Sequence, residues 1–227
     1  MALTKVTSGG LTDDSIVNAD INSSAAVALS KLATDPSNAS NLASGTVPTA
    51  RLGSGTASAS TFLTGAQTYA GAGITMAEQW RIHTTFTGDS DPIASNWEQA
   101  DTDGAADLGS SLTESSGVFT FPSTGMWLIM ATFNMNLSGS NRSSYSGIDT
   151  TTNNATYSTA ASGTQGFAQS ESGITFGACS CNFFFDVTDT TQCKFRLIQY
   201  VNNDSTSTLG SSAVQDTGFT VVRLGDT

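Results

Sequence analysis

Alternation of apolar and polar residues is most regular near the middle of the chain. From Trp127 to Leu137 every second residue is apolar, and Asn134 and Asn136 occupy positions on the opposite face. This period of two indicates a half-buried β-strand. Residues 117–121 are also strand-like, and 122–125 between them have the composition of a tight turn. The pattern predicts a β-hairpin at the centre of a core.

The same criteria predict an all-β domain from residue 76 onward. The apolar residues of 174–187 alternate, as expected for a core strand. A turn at 189–192 predicts a second hairpin with a half-buried strand at 193–201. The predicted strands are residues 79–87, 96–99, 117–121, 127–137, 144–149, 166–169, 174–187, 193–201 and 218–224. Short strands separated by Gly, Asn, Asp and Ser predict an antiparallel sandwich or jelly roll over 76–227.

Residues 1–75 follow a different pattern, with Phe62 and Tyr69 as their only aromatic residues. Apolar residues recur every 10 or 11 positions, at Leu11, Ile21, Leu32, Leu42, Leu52 and Leu63. Such a repeat predicts an extended stalk that buries its apolar side chains against another copy of the chain. A low-complexity linker is the alternative. Within this segment, apolar spacing over 20–33 predicts a short helix that ends before Pro36.

Charge narrows the range of partners. The 227 residues carry a net charge of −11, and only 12% of them are charged. From Met76 onward, five basic residues face fifteen acidic ones. Binding to nucleic acid or to an anionic membrane surface needs clustered Lys and Arg, so neither partner is expected. The sequence shows no apolar signal segment and no run long enough for a membrane span, so we expect cytoplasmic synthesis without membrane insertion.

The sequence contains three cysteines, at positions 179, 181 and 193. Their odd number and spacing favour free buried thiols, with a disulfide or a metal site as alternatives. His83 is the only histidine. No Ser or Cys motif accompanies it, so we expect a structural strand histidine. We predict no catalytic or cofactor-binding residue and therefore no enzyme.

An acidic segment provides the one candidate for a metal site. Asp101, Asp103 and Asp107 lie close to Gly104. Carboxylates near a glycine can bind Ca²⁺, although their spacing does not match an EF-hand loop. A solvated acidic loop is the alternative interpretation.

Two motifs in the first segment resemble known proteins. Residues 30–33 read SKLA and residues 44–57 read SGTVPTARLGSGTA. Together with 16–29, they resemble the stalks of tail-fibre and other fibre proteins of bacteriophages, especially those of marine bacteria. The resemblance implies a virion protein, released by lysis, with residues 1–35 attached to other virion proteins and 1–75 forming the stalk.

A second resemblance concerns the predicted β domain. Residues 117–129, GVFTFPSTGMWLI, resemble the GxFxxPxxGxYxF motif of C1q/TNF-like jelly rolls, with Trp127 at the aromatic position. Residues 217–224, TGFTVVRL, resemble the last strand of that family. The glycine of the family's GD turn is absent before Asp186. The resemblance implies a ten-stranded jelly roll that forms a homotrimer.

Together these features predict a homotrimeric phage tail fibre whose C-terminal knob binds a host-surface glycan or protein without turnover. A capsid-decorating head fibre or cement protein is the alternative, and a glycan-degrading spike is a further one. Binding residues are expected in the polar loops 138–145, 150–162 and 202–212, because loops on a rigid scaffold carry most contacts. The candidates are Asn141, Arg142, Tyr145, Asn153, Asn154, Tyr157, Asn202, Asn203 and Asp204.

Overall fold

The computed structural model describes residues 73–227, together with 54, 56, 61–63 and 69–71. The chain divides into two units at Ser54, and the described strands lie in the second unit. The predicted helix at 20–33 and most of the predicted stalk fall outside the described residues. The part of the chain that the structure describes contains no helix, and hence none that could cross a membrane.

The described strands from residue 76 onward form an antiparallel sandwich, and two further strands precede it. Their bounds are β1 Thr61–Leu63, β2 Tyr69–Gly71, β3 Met76–Ile82, β4 Thr84–Thr87, β5 Trp97–Gln99, β6 Thr113–Ser115, β7 Val118–Thr120, β8 Gly125–Leu137, β9 Asn141–Thr151, β10 Ser158–Phe167, β11 Thr175–Val187, β12 Lys194–Val201, β13 Ser207–Ser211 and β14 Gly218–Gly225. A five-stranded sheet has the order β10-β9-β12-β7-β6. A seven-stranded sheet has the order β4-β13-β8-β14-β3-β5, with β11 paired to the other edge of β8. Strands β1 and β2 pair separately.

Strand β8 is the centre of the larger sheet. It pairs along its whole length with β11, from Gly125↔Val187 to Leu137↔Thr175, and with β14 on its other side. Its odd-numbered residues, beginning with Trp127, point inward and are buried. The alternation predicted for this strand is therefore confirmed, and so is the burial of alternate residues in β11 and β12.

The core between the sheets is aromatic. The Phe119 ring lies 5.3 Å from that of Trp80, 5.2 Å from Trp97, 5.1 Å from Phe195 and 4.7 Å from Phe219, centroid to centroid. These rings come from both sheets. Most of the contacts are edge-to-face, an arrangement that aromatic quadrupoles favour.

Both predicted hairpins are wrong. Strand β7 belongs to the smaller sheet and β8 to the larger one, so the turn at 121–124 crosses the sandwich. The connection from β11 to β12 also crosses between the sheets. Two consecutive strands can turn their apolar faces to a common core either as neighbours or from opposite sheets. Local alternation alone therefore does not determine their pairing.

Several strand boundaries also need correction. The predicted strand 79–87 is interrupted at His83, which is exposed and bonds through its Nδ1 to Thr84 Oγ1 at 2.7 Å. The predicted strand 166–169 is the end of the longer β10, part of which was assigned to a loop. Strands β6 and β13 were not predicted. These strands are short or built from small polar residues, so they lack a strong apolar period.

Candidate functional site

A polar pocket lies at one end of the sandwich, where the β8–β9, β10–β11 and β12–β13 loops meet. Its volume is about 830 Å³, within the range of small-molecule sites. It is lined by Ser140, Asn141, Arg142, Gly166, Phe167, Ala168, Asn202, Asn203 and Asp204. We call it the end pocket. The structure thus brings together five predicted contact residues from two separate loops: Asn141, Arg142, Asn202, Asn203 and Asp204.

Two asparagines hold the walls of the end pocket. Asn141 is fully buried, donates through its amide to Ser144 Oγ, and accepts from the Asn203 backbone N–H at 3.1 Å. The Asn203 amide donates to the Ser140 carbonyl at 3.2 Å, and its oxygen accepts from the Ser205 N–H at 3.1 Å. Because these amides are satisfied within the protein, their part is to fix the shape of the pocket.

Other lining groups have no partner. The side chains of Arg142, Asn202 and Asp204 make no hydrogen bond or ion pair with any described residue. Arg142 and Asp204 also do not pair with each other. A guanidinium, an amide and a carboxylate are therefore available to a ligand.

Phe167 provides an aromatic wall. Its ring packs against Gly177 of β11 so closely that a Cβ at that position would collide with it. A Cβ at Gly166 would likewise collide with the Arg142 carbonyl oxygen. Gly166 and Phe167 are not among the predicted site residues, because the sequence predicts a strand over 166–169.

Tyr145 and Tyr157 lie outside the end pocket, on the outer face of the five-stranded sheet. Arg196 forms ion pairs with Asp149 at 2.9 Å and with Asp91 at 3.0 Å, and its guanidinium lies 4.5 Å from the centre of the Tyr157 ring. The Tyr145 ring lies 6.2 Å from that of Tyr200. The Tyr200 hydroxyl donates to Asp91, and this bond raises the pKa of Tyr200.

Asn153 and Asn154 lie at the opposite end of β9 from the end pocket. Asn153 Oδ1 accepts from the backbone N–H groups of Ala155 and Thr156, at 3.0 and 2.9 Å, and so closes the turn. Asn154 has a positive φ of 53°. Strand β9 separates this turn from the pocket by about 33 Å at 3.3 Å per residue. The nine candidates therefore do not form one site.

The candidate calcium ligands do not converge. Asp101 forms an ion pair with the buried Arg81 at 2.7 Å, next to the Arg81–Glu98 pair at 2.7 Å. Asp107 is exposed, and partial desolvation raises its pKa. Within residues 73–227 and the other described positions, no three His, Cys, Asp or Glu side chains form a metal-binding group.

The three cysteines are free, as predicted from their number and spacing. Cys181 and Cys193 are buried, and Cys179 is half-buried. Burial raises the pKa of Cys181 to about 11. A thiol in this state is a poor nucleophile at neutral pH.

The outer face of the seven-stranded sheet carries an unusual apolar feature. Phe184 of β11, Leu128 of β8 and Val222 of β14 lie directly side by side in the strand register. Met130 follows two positions along β8. We call these residues the outward apolar row. Phe184 is 61% exposed and Met130 is 37% exposed. The sequence pattern did not predict an interaction surface on this face.

These features define a jelly-roll sandwich in which consecutive strands cross repeatedly between two antiparallel sheets, with a polar pocket at one end. No known protein-family profile and no curated protein sequence match the chain. Among solved structures, Eiger TNF from S. frugiperda is similar at 15% identity and a TM-score of 0.47, over 68% of this chain and 95% of that one. Murine APRIL at pH 5.0 is similar at 10% identity and a TM-score of 0.47, over 66% and 98%.

Proposed function

We propose that this protein is a virion fibre, a phage tail fibre in particular, whose C-terminal sandwich forms a homotrimeric binding knob. The observation that carries the proposal is the outward apolar row. Phe184, Leu128 and Val222 lie on the face of a sheet whose opposite face already covers the core. Contiguous apolar residues at such a position are typical of an interaction surface.

A second copy of the chain is the occupant that fits this surface. Two chains with a net charge of −11 each repel one another, so their association needs an apolar contact region. The row provides one, because it contains neither acidic nor basic side chains. The threefold arrangement is supported by the resemblance of residues 117–129 to the C1q/TNF-like motif.

The N-terminal sequence supports the proposal that this chain is a fibre protein of a virion. Residues 16–33 and 44–57 carry the phage-stalk motifs, and we assign 1–35 to attachment to other virion proteins. Such a protein would be made in the host cytoplasm and released by lysis. The end pocket would contact the host surface, and three copies would bind a repetitive surface with avidity. This function requires binding and no catalysis.

Negative-stain electron microscopy of the purified full chain tests whether the protein forms a trimeric fibre. We expect particles with a threefold head on a thin stalk. Isolated single heads without a stalk would contradict the proposal. The copy number per virion then separates a tail fibre, with few copies, from a capsid-decorating fibre with many.

A further inference from the structure

We propose that the end pocket binds a carboxylate-bearing sugar unit of a surface polysaccharide. This inference rests on the proposed binding function and names the ligand class for it. It depends on the three unpartnered side chains of the pocket, Arg142, Asn202 and Asp204, and on the Phe167 ring.

Arg142 specifies the negative charge. Arg81, Arg196 and Arg223 all form ion pairs with carboxylates of the protein. Arg142 has no such partner among the described residues, although the protein is strongly acidic. A planar guanidinium matches a carboxylate or a phosphate with two parallel hydrogen bonds.

Asp204 and Asn202 specify the rest of the ligand. A free carboxylate accepts hydrogen bonds from hydroxyl groups, and an amide both donates and accepts them. Asp204 also disfavours a doubly charged phosphate, because like charges in one pocket repel. A ligand with one negative charge and several hydroxyls satisfies all three side chains, and a sugar acid has this chemistry.

The Phe167 ring supplies the apolar part of the proposed binding site. Its ring is held against Gly177 and is half-buried, so it presents a fixed apolar surface beside the polar groups. The C–H face of a sugar ring can pack on such a surface while its hydroxyls and carboxylate reach the polar side chains. The hydrogen-bonded amides of the buried Asn141 and the half-buried Asn203 fix the pocket before the ligand arrives, which lowers the ordering cost of binding.

The test is saturation-transfer NMR on the full chain with short oligosaccharides of galacturonate, guluronate and N-acetylneuraminate. Each is compared with its methyl ester, which removes the charge and keeps the ring. We expect at least one acid to bind, and its ester to bind on the order of tenfold more weakly. Absence of binding by every acid, or equal binding of acid and ester, would overturn the inference.

One arginine variant and one lysine variant provide a matched comparison, because each removes a single positive charge. Arg142→Gln should weaken binding of the acid on the order of tenfold. Lys194→Gln removes the same charge at the far end of β12, about 23 Å along the strand from Val201, and should leave binding unchanged. Equal effects of the two substitutions, or none from Arg142→Gln, would overturn the assignment.

Sedimentation of the same samples separates this inference from the proposed function. A monomer that binds the acid contradicts the trimeric fibre and supports the ligand assignment. A trimer that binds no acid supports the fibre and overturns the ligand assignment.

Discussion

Phe119 is the residue on which the two sheets converge. It is fully buried, and its ring contacts those of Trp80, Trp97, Phe195 and Phe219. Removing it would leave a cavity that neighbouring rings cannot fill without leaving their own partners. Its contribution therefore exceeds that of an exposed apolar side chain of similar chemistry.

We expect Phe119→Ala to lower the free energy of unfolding by about 3–5 kcal/mol. Urea unfolding followed by tryptophan fluorescence measures it, since Trp80 and Trp97 are direct neighbours. Val214 is 58% exposed, and Val214→Ala should change stability by less than about 0.5 kcal/mol. A similar small loss for both variants would contradict the described core.

Cys181 predicts a pH dependence at alkaline pH. Its pKa is about 11 in the folded protein against 9.0 for an unperturbed thiol. Between these values the unfolded chain loses the proton and the folded chain keeps it, so stability falls as pH rises.

Thermal unfolding between pH 8 and 10.5 should therefore show a steeper loss for the wild type than for Cys181→Ala. The difference approaches about 1.4 kcal/mol per pH unit at most. Cys179 interacts with Cys181 and also has a raised pKa, so the difference reports the two thiols together. Parallel pH profiles would show that Cys181 is not buried as described.

The turn from β7 to β8 ends at Gly125, which is in a crowded position. Gly125 has a φ of 128°, and a Cβ there would collide with the Gly225 carbonyl and approach Arg223 Nη2 at 2.8 Å. The start of β8 and the end of β14 are therefore in close backbone contact. This contact belongs to the pairing of β8 with β14, in which Gly225 lies opposite Met126.

Gly125→Ala should destabilise the protein by more than the roughly 1–3 kcal/mol that backbone strain alone costs. Gly173 is a matched control, because its φ is 134° and no atom lies within 4 Å of an added Cβ. Melting temperatures of the two alanine variants compare strain with and without collision. Equal losses in the two would contradict the close approach of β8 and β14.

Alternation predicted which face of β8, β11 and β12 is buried, because side chains in a strand alternate strictly. Alternation did not predict which strands share a sheet, because strand pairing depends on residues far apart in the sequence. The polar loops led to Asn141, Arg142 and the Asn202–Asp204 turn, but Phe167 entered the end pocket only through tertiary packing against Gly177. Tyr145 and Tyr157 were separated from that pocket by their position on the outer face.

For the whole molecule, the proposed trimer depends on self-association through the outward apolar row. Phe184 is its most exposed described member, and it lies on β11, at an edge of the seven-stranded sheet, opposite Leu128 of β8. A charge at this position would be buried without a partner in an assembly, at a cost of several kcal/mol. In a monomer the same charge would face water.

Sedimentation equilibrium of the full chain tests this most directly. We expect the wild type and Val214→Asp, a control on an exposed loop, to sediment at three times the chain mass of 23.3 kDa. We expect Phe184→Asp to sediment at 23.3 kDa. A monomeric wild type, or a Phe184→Asp variant that remains trimeric, would contradict the account.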